Sequence, residues 1–85
     1  MKKKWFITEE WNESDQLPHG RRTSKVNAYG LCYLYDIRNT AGCMNRYSHY
    51  DYVDSMTYDT REQYENMLKT LEENGSVINR EYEKI

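Results

Sequence analysis

The chain has 85 residues, a formal net charge of −2 and nine tyrosines, but only thirteen Leu, Ile, Val and Phe residues together. These values exclude a membrane span, a collagen, a coiled coil and a disulfide-dense toxin. They predict one small domain over residues 1–85, with a core that draws on aromatic side chains. No apolar run follows the lysines at positions 2–4, so we expect no signal peptide and a cytoplasmic location.

The first predicted element is a strand over Lys4–Trp11, where polar and apolar residues alternate. Its more apolar face, which we expect to point toward the core, consists of Trp5, Ile7, Glu9 and Trp11. Residues 12–24 are polar almost throughout and include the only proline, Pro18. They predict a loop that is either mobile or a contact surface.

Two tyrosine-rich segments predict a β-hairpin. Lys25–Ile37 places large side chains on one face and mostly small ones on the other, which leaves open which face is core. Asn39–Gly42 has the residue types of a turn. Met44–Tyr58 is expected to return as the antiparallel partner strand, with tyrosine pairs that stabilise by about 0.2–1 kcal/mol each.

A helix is predicted over Asp59–Asn74, with Asp59 or Thr60 as its cap and Gly75 as its stop. Its apolar stripe has i, i+3, i+4, i+7 spacing and consists of Tyr64, Met67, Leu68 and Leu71. Val77–Tyr82 is predicted as a final strand. The fold class is therefore α+β: a small antiparallel sheet of three or four strands, in the order β-β-β-α-β, with one amphipathic helix packed on one face.

The histidines and cysteines are candidate metal ligands, namely His19, Cys32, Cys43 and His49. Structural zinc sites bring their ligands as close pairs along the chain. Here ten residues separate the cysteines and twenty-nine separate the histidines, so we expect no metal. The predicted hairpin also keeps the cysteines several residue pairs apart, so we expect reduced thiols rather than a disulfide.

A cysteine, a histidine and an aspartate are candidates for nucleophilic catalysis, with ordinary packing as the alternative. Cys32, His49 and Asp51 can share one face of the hairpin, but no nucleophile elbow, helix amino end or oxyanion loop accompanies them. The neighbouring carboxylates are expected at strand edges or on a solvated helix face, and they are Glu9, Glu10, Asp51, Asp54, Glu72 and Glu73. The sequence therefore predicts no enzyme and no cofactor.

Basic residues suggest an alternative function as a nucleic-acid or nucleotide-phosphate binding domain. Residues 19–25 carry a glycine, hydroxyls and three cations, although not at P-loop spacing. The cations that would contact an anion beside the sheet tyrosines are Arg21, Arg22, Lys25, Arg38 and Arg46. A pI near 5.6 makes nucleic acid the less favoured partner.

Residues 47–55 combine tyrosine with serine, histidine and aspartate, a composition typical of protein-binding surfaces. The expected contacts are Tyr35, His49, Tyr50, Asp51 and Tyr52. Short, tyrosine-rich and charged, the chain resembles small accessory proteins of phages and mobile elements. That resemblance implies a non-catalytic module that inhibits or modulates a larger host protein, such as a defence or nucleic-acid-handling enzyme. A homodimer is also compatible with the sequence, and no membrane partner is expected.

Overall fold

The structure, a computed structural model, describes residues 2–20, 22–34, 37, 50–80 and 83–84. The strands and the helix are β1 (Lys3–Trp11), β2 (Lys25–Tyr33), β3 (Tyr52–Tyr58), α1 (Arg61–Glu73), β4 (Val77–Ile78) and β5 (Glu83–Lys84). Two short 3₁₀ turns, Glu13–Asp15 and Pro18–Gly20, lie within the predicted loop. This arrangement confirms the predicted α+β class and the order β-β-β-α-β.

The long strand β1 lies in the centre of the sheet, antiparallel to both β2 and β3. Ile7 stands opposite Tyr29 on one side and Met56 on the other. The predicted hairpin between β2 and β3 is therefore wrong, and its Asn39–Gly42 turn lies outside the described residues. Consecutive residues of β1 from Phe6 to Thr8 are buried, a pattern that suits a central strand covered on both faces.

The sheet is mixed rather than purely antiparallel, because β4 and β5 both run parallel to β2. Since β2 and β3 are each antiparallel to β1, they point the same way. Helix α1 connects β3 to β4, which lies beside β2 on the other side of β1. Because β3 and β4 run in the same direction, the connection between them needs a crossover segment such as this helix. The predicted strand Val77–Tyr82 is shorter in the structure: β4 ends at Ile78, and Tyr82 lies outside the described residues.

A β-bulge in β2 aligns its two halves with the core. Thr8 pairs with Ala28, whereas Glu9 pairs with Val26, so that Asn27 is left over. The extra residue turns Val26 to the same face as Tyr29, and both are fully buried there. The bulge therefore allows two residues three positions apart to serve one face, which a regular strand does not allow.

Helix α1 packs on the face of β2 that carries its large side chains, and this settles the question that the sequence left open. The core cluster on that face consists of Ile7, Val26, Tyr29, Tyr64 and Leu68, with Trp5, Tyr58, Leu71 and Ile78 partly buried against it. Met67 belongs to the predicted stripe, yet it is 37% exposed, so the stripe is narrower than expected. On the opposite face, Phe6, Ala28 and Ile37 form a second buried cluster.

Both ends of α1 carry the capping groups that the sequence predicts. The Thr60 hydroxyl accepts a hydrogen bond from the Gln63 amide at 3.2 Å, which satisfies an amide with no partner inside the helix. At the other end, Gly75 has a φ of +95°. Its amide donates to Glu72 O and the Ser76 amide donates to Leu71 O, the pattern of a Schellman motif.

Candidate functional site

Three side chains stack across the end of the sheet, on the face that carries α1. Trp11 on β1 stands opposite Tyr52 on β3, with ring centroids 5.5 Å apart and planes 16° from parallel. The guanidinium carbon of Arg22 lies 3.8 Å from the centroid of the Trp11 ring, a favourable cation–π distance. We call Arg22, Trp11 and Tyr52 the cross-strand stack.

Hydrogen bonds from the first 3₁₀ turn hold the start of β3 in place. The Glu13 amide donates to Asp51 Oδ2 at 3.0 Å, and the Asp51 amide donates to Asn12 Oδ1 at 3.0 Å. The Tyr52 hydroxyl donates to Glu13 Oε2 at 2.6 Å, and this bond raises the pKa of Tyr52. The position of the Tyr52 ring is therefore fixed by both a stack and a hydrogen bond.

The face of β3 that carries α1 remains accessible along most of its length. Tyr52 is 41% and Met56 52% exposed, and Asp54 between them is also exposed. Tyr58, the last residue of this row, is half-buried against the core, and burial raises the pKa of its hydroxyl. We call the row Tyr52, Asp54 and Met56 the β3 face.

A cavity of about 320 Å³ lies between the end of α1 and the second 3₁₀ turn, and its lining residues are Glu9, Leu17, Gly20, Arg22, Leu71, Glu73 and Asn74. The largely buried carboxylate of Glu9 accepts a hydrogen bond from the Ser24 hydroxyl at 2.9 Å. Its other oxygen lies 3.7 Å from Arg22 Nη2. Because these groups compensate one another's charge, we interpret them as holding the 16–24 segment on the sheet.

The predicted partner-binding residues are only partly brought together. Asp51 and Tyr52 are adjacent and exposed at the start of β3. Tyr50 is half-buried, and Lys25 Nζ lies 5.5 Å from the centroid of its ring. Tyr35 and His49 lie outside the described residues, so no contact with this surface is assigned to them.

The predicted cations do not form a described basic surface. Arg22 belongs to the cross-strand stack, whereas Lys25 is exposed beside Tyr50. The Tyr50 hydroxyl raises the pKa of Lys25. The other three predicted cations, Arg21, Arg38 and Arg46, lie outside the described residues.

Three of the five candidate metal-binding and catalytic residues lie outside the described part of the chain. They are Cys43, His49 and the side chain of His19. Cys32 is half-buried, and its thiol donates to Tyr33 O at 3.6 Å. Within the described ranges, no three His, Cys, Asp or Glu side chains lie close enough together to hold a metal ion.

One expectation about the carboxylates is wrong. Glu10 is buried and accepts a hydrogen bond from Asn27 Nδ2 at 3.2 Å, and the Glu9 side chain is also largely buried. Both were expected at a strand edge, but β1 is a central strand. Exposed positions are confirmed for the other four carboxylates, Asp51, Asp54, Glu72 and Glu73.

Sequence reasoning missed Trp11, Arg22 and Met56 as parts of one surface. The alternation of β1 does place Trp11 on the same face as Ile7, but its meeting with Tyr52 depends on a pairing between strands forty residues apart in the sequence. None of the described residues forms a helix with both the length and the apolar character needed to cross a membrane. Comparison with protein-family models, with curated proteins and with solved structures finds no match.

Proposed function

We propose that this protein is a non-catalytic protein-binding module that contacts a larger partner through the β3 face. The observation that carries the proposal is the exposure of Tyr52 and Met56 on one row of a strand whose start is fixed by hydrogen bonds. Tyrosine and methionine are enriched in the contact regions of protein interfaces, where large apolar surfaces are covered on binding.

The way in which Tyr52 is held supports this role. Its ring is stacked on Trp11, and its hydroxyl is bonded to Glu13. A side chain that is already ordered loses less conformational entropy when a partner covers it. Tyr52 therefore has the properties of an anchor residue, whereas Asp54 beside it offers a hydrogen-bond acceptor at the rim.

The partner is proposed to be a larger host enzyme or complex, such as a defence or nucleic-acid-handling protein, which the module inhibits or modulates in the host cytoplasm. This part rests on the resemblance in size and composition to small accessory proteins of phages and mobile elements. The contact surface differs from the predicted one, because β3 is paired with β1 and not with β2.

Affinity capture with tagged variants tests the proposal. Wild-type protein, Tyr52→Ala, Met56→Ala and the control Met67→Ala are used as baits in a nuclease-treated lysate of the native host. Met67 is a suitable control, because it is also an exposed apolar residue but lies on α1. Once the captured partner is purified, loss of a true anchor should weaken binding by about 2 kcal/mol, or roughly thirtyfold.

Tyr52→Phe separates the ring from the hydroxyl. This variant keeps the stack on Trp11 and removes the bond to Glu13, so it should bind more tightly than Tyr52→Ala. The proposal is wrong if all three alanine variants bind alike. Capture from an untreated lysate that is absent from the nuclease-treated one would instead favour the nucleic-acid alternative.

A further inference from the structure

In the described part of the chain, the outer edge of β3 has little of the usual protection against pairing with another strand. Within the described part of the chain, β3 pairs on one side only, with β1. It is seven residues long, contains neither lysine nor proline, and has Asp54 as its only charged residue. Natural edge strands are usually shortened or carry such residues, because open backbone groups attract other strands. The strands paired to the outer side of β2, β4 and β5, have only two residues each.

The sequence of β3 is complementary to itself when two copies run antiparallel about a two-fold axis at Ser55. Tyr52 then stands opposite Tyr58 of the second copy, and Val53 stands opposite its Thr57. Aromatic pairs and pairs of β-branched residues are favourable neighbours across antiparallel strands. Asp54 stands opposite Met56 of the second copy, so no two like charges are directly opposed within the strand.

The two neighbouring registers that keep the faces aligned are less favourable. Shifting the copies by two residues in one direction places Asp54 opposite Asp54 of the second copy, which destabilises the pair. Shifting them in the other direction leaves only residues 54–58 paired and removes Tyr52 from the ladder. The register centred on Ser55 uses all seven residues of β3, and it is therefore the one that the sequence favours.

We propose that two copies of this chain associate through their β3 edges in this register, which joins the two sheets into one continuous sheet. The occupant of the edge is thus a second copy. The contact uses the backbone of β3, so the β3 face of each copy stays exposed and the two faces become neighbours. The proposal is independent of the proposed function, which concerns side chains on that face.

The dimer is expected to be weak and concentration-dependent. Seven paired residues form a strip about 23 Å long, which covers less area than the interfaces of about 1,200 Å² or more in stable complexes. Sedimentation of the wild-type chain should show monomer at low micromolar concentration and dimer as the concentration rises.

A cysteine at position 55 tests the register directly. In a Cys32→Ala/Cys43→Ala background that retains cooperative melting, Ser55→Cys places two thiols opposite each other across the two-fold axis. Directly opposed Cα atoms in antiparallel strands lie about 4.5–5.5 Å apart, which is within disulfide range. Under mild oxidation we expect a covalent dimer from Ser55→Cys.

Val53→Cys is the matched control, because Val53 lies on the same face of β3 and is half-buried like Ser55. In the proposed register, the two copies of position 53 are four residues apart along the strand, about 13 Å, and they should not cross-link. Equal cross-linking of the two variants would show a different register and overturn the proposal.

Charge variants at Met56 give a second test that needs no cross-link. Met56→Lys places each lysine opposite Asp54 of the other copy, whereas Met56→Glu places two carboxylates there. The two-fold axis creates this pair of residues 54 and 56 twice in each dimer. We therefore expect the lysine variant to dimerise roughly tenfold more tightly than the glutamate variant. Met56 is exposed, so both variants should fold normally.

A wild-type chain that stays monomeric up to millimolar concentration, with no cross-link through position 55, would show that β3 does not pair with itself. Tyr52→Ala binding to a captured partner remains a separate readout. If the protein is strictly monomeric and Tyr52→Ala no longer binds the captured partner, the proposed function stands and only the dimer is ruled out.

Discussion

Trp11 on β1 stands directly opposite Tyr52 on β3, and their stacked rings join two strands that lie forty residues apart in the sequence. This pair shows how the amino-terminal strand determines where the tyrosine-rich segment lies. It also orders Tyr52, which the sequence singled out for another reason, its place in a run rich in tyrosine.

The stack predicts a measurable coupling between these residues. In a double-mutant cycle with Trp11→Ala and Tyr52→Ala, we expect an interaction energy of about 0.5–1.5 kcal/mol in the free energy of unfolding. Urea unfolding at neutral pH provides the four values. A control cycle of Trp11→Ala with Tyr33→Ala should show coupling near zero, because Tyr33 lies at the far end of the sheet, paired with Lys3. Equal coupling in both cycles would contradict the stack.

Leu68 attaches α1 to the sheet, since it is 5% exposed within the core cluster. Leu68→Ala is expected to lower the free energy of unfolding by about 2–5 kcal/mol, as buried leucines usually do. The neighbouring variant Met67→Ala should change it by less than about 0.5 kcal/mol, as exposed positions do. Chemical denaturation of both variants checks this, and similar losses would mean that the apolar stripe is as wide as the sequence alone suggests.

The amino terminus of α1 offers a smaller and more specific test. Thr60→Ala removes the acceptor for the Gln63 amide and should cost about 1 kcal/mol. Thr60→Ser keeps a hydroxyl at the same place and should remain close to wild type. Thermal melting distinguishes the two, and an equal loss in both variants would assign the effect to the threonine methyl group rather than to the cap.

Stability should fall in alkaline solution because of the tyrosines in the core. Burial, followed by the hydrogen bond to Glu83, raises the pKa of the Tyr64 hydroxyl above its ordinary value of 10.0. The unfolded chain then loses this proton near pH 10, while the folded chain keeps it. The contribution of this hydroxyl to the free energy of unfolding is therefore fully present below pH 10 and is lost as the pH rises further.

Tyr64→Phe tests this origin of the pH dependence. Each tyrosine that keeps its proton only in the folded state makes the free energy of unfolding fall more steeply with pH, by at most about 1.4 kcal/mol per pH unit. The phenylalanine variant should therefore lose stability more gradually between pH 10 and 11 than wild type, although it starts lower because the bond to Glu83 is gone. Urea unfolding at several pH values measures both slopes, and parallel curves would contradict the assignment.

The parts of the fold that depend on neighbouring residues were predicted correctly. The presence of strand β1, the caps at Thr60 and Gly75 and the spacing of Tyr64 and Leu68 all depend on a few consecutive residues, so the sequence displays them directly. The same holds for the α+β class. The single core face predicted for β1 was wrong, because Phe6, Thr8 and Glu10 on its other face are buried as well. Asp51 and Tyr52 were predicted as partner contacts because the composition of their segment is typical of binding surfaces, and both are exposed in the structure.

Strand pairing was not predictable in the same way. The sequence favoured a hairpin of the two tyrosine-rich segments because residues of turn type lie between them and their tyrosines could pair, but β1 separates them in the structure. β1 can do so because Phe6 and Ile7 give it an apolar side chain on each face and Thr8 is buried beside them, which suits a strand with a neighbour on each side. Once β1 is central, Glu10 is buried and β3 lies at the edge of the described part of the sheet, which no local pattern reveals.

The sequence by itself therefore determined the class of the fold, its helix and the residues that cap that helix, since these follow from steric and hydrogen-bonding preferences along a short stretch of chain. Only the tertiary structure decided which strands are neighbours, which face α1 covers and that Tyr52 stacks on Trp11. These depend on the total apolar area that the whole chain can bury at once, and that quantity belongs to the packed molecule and not to any segment.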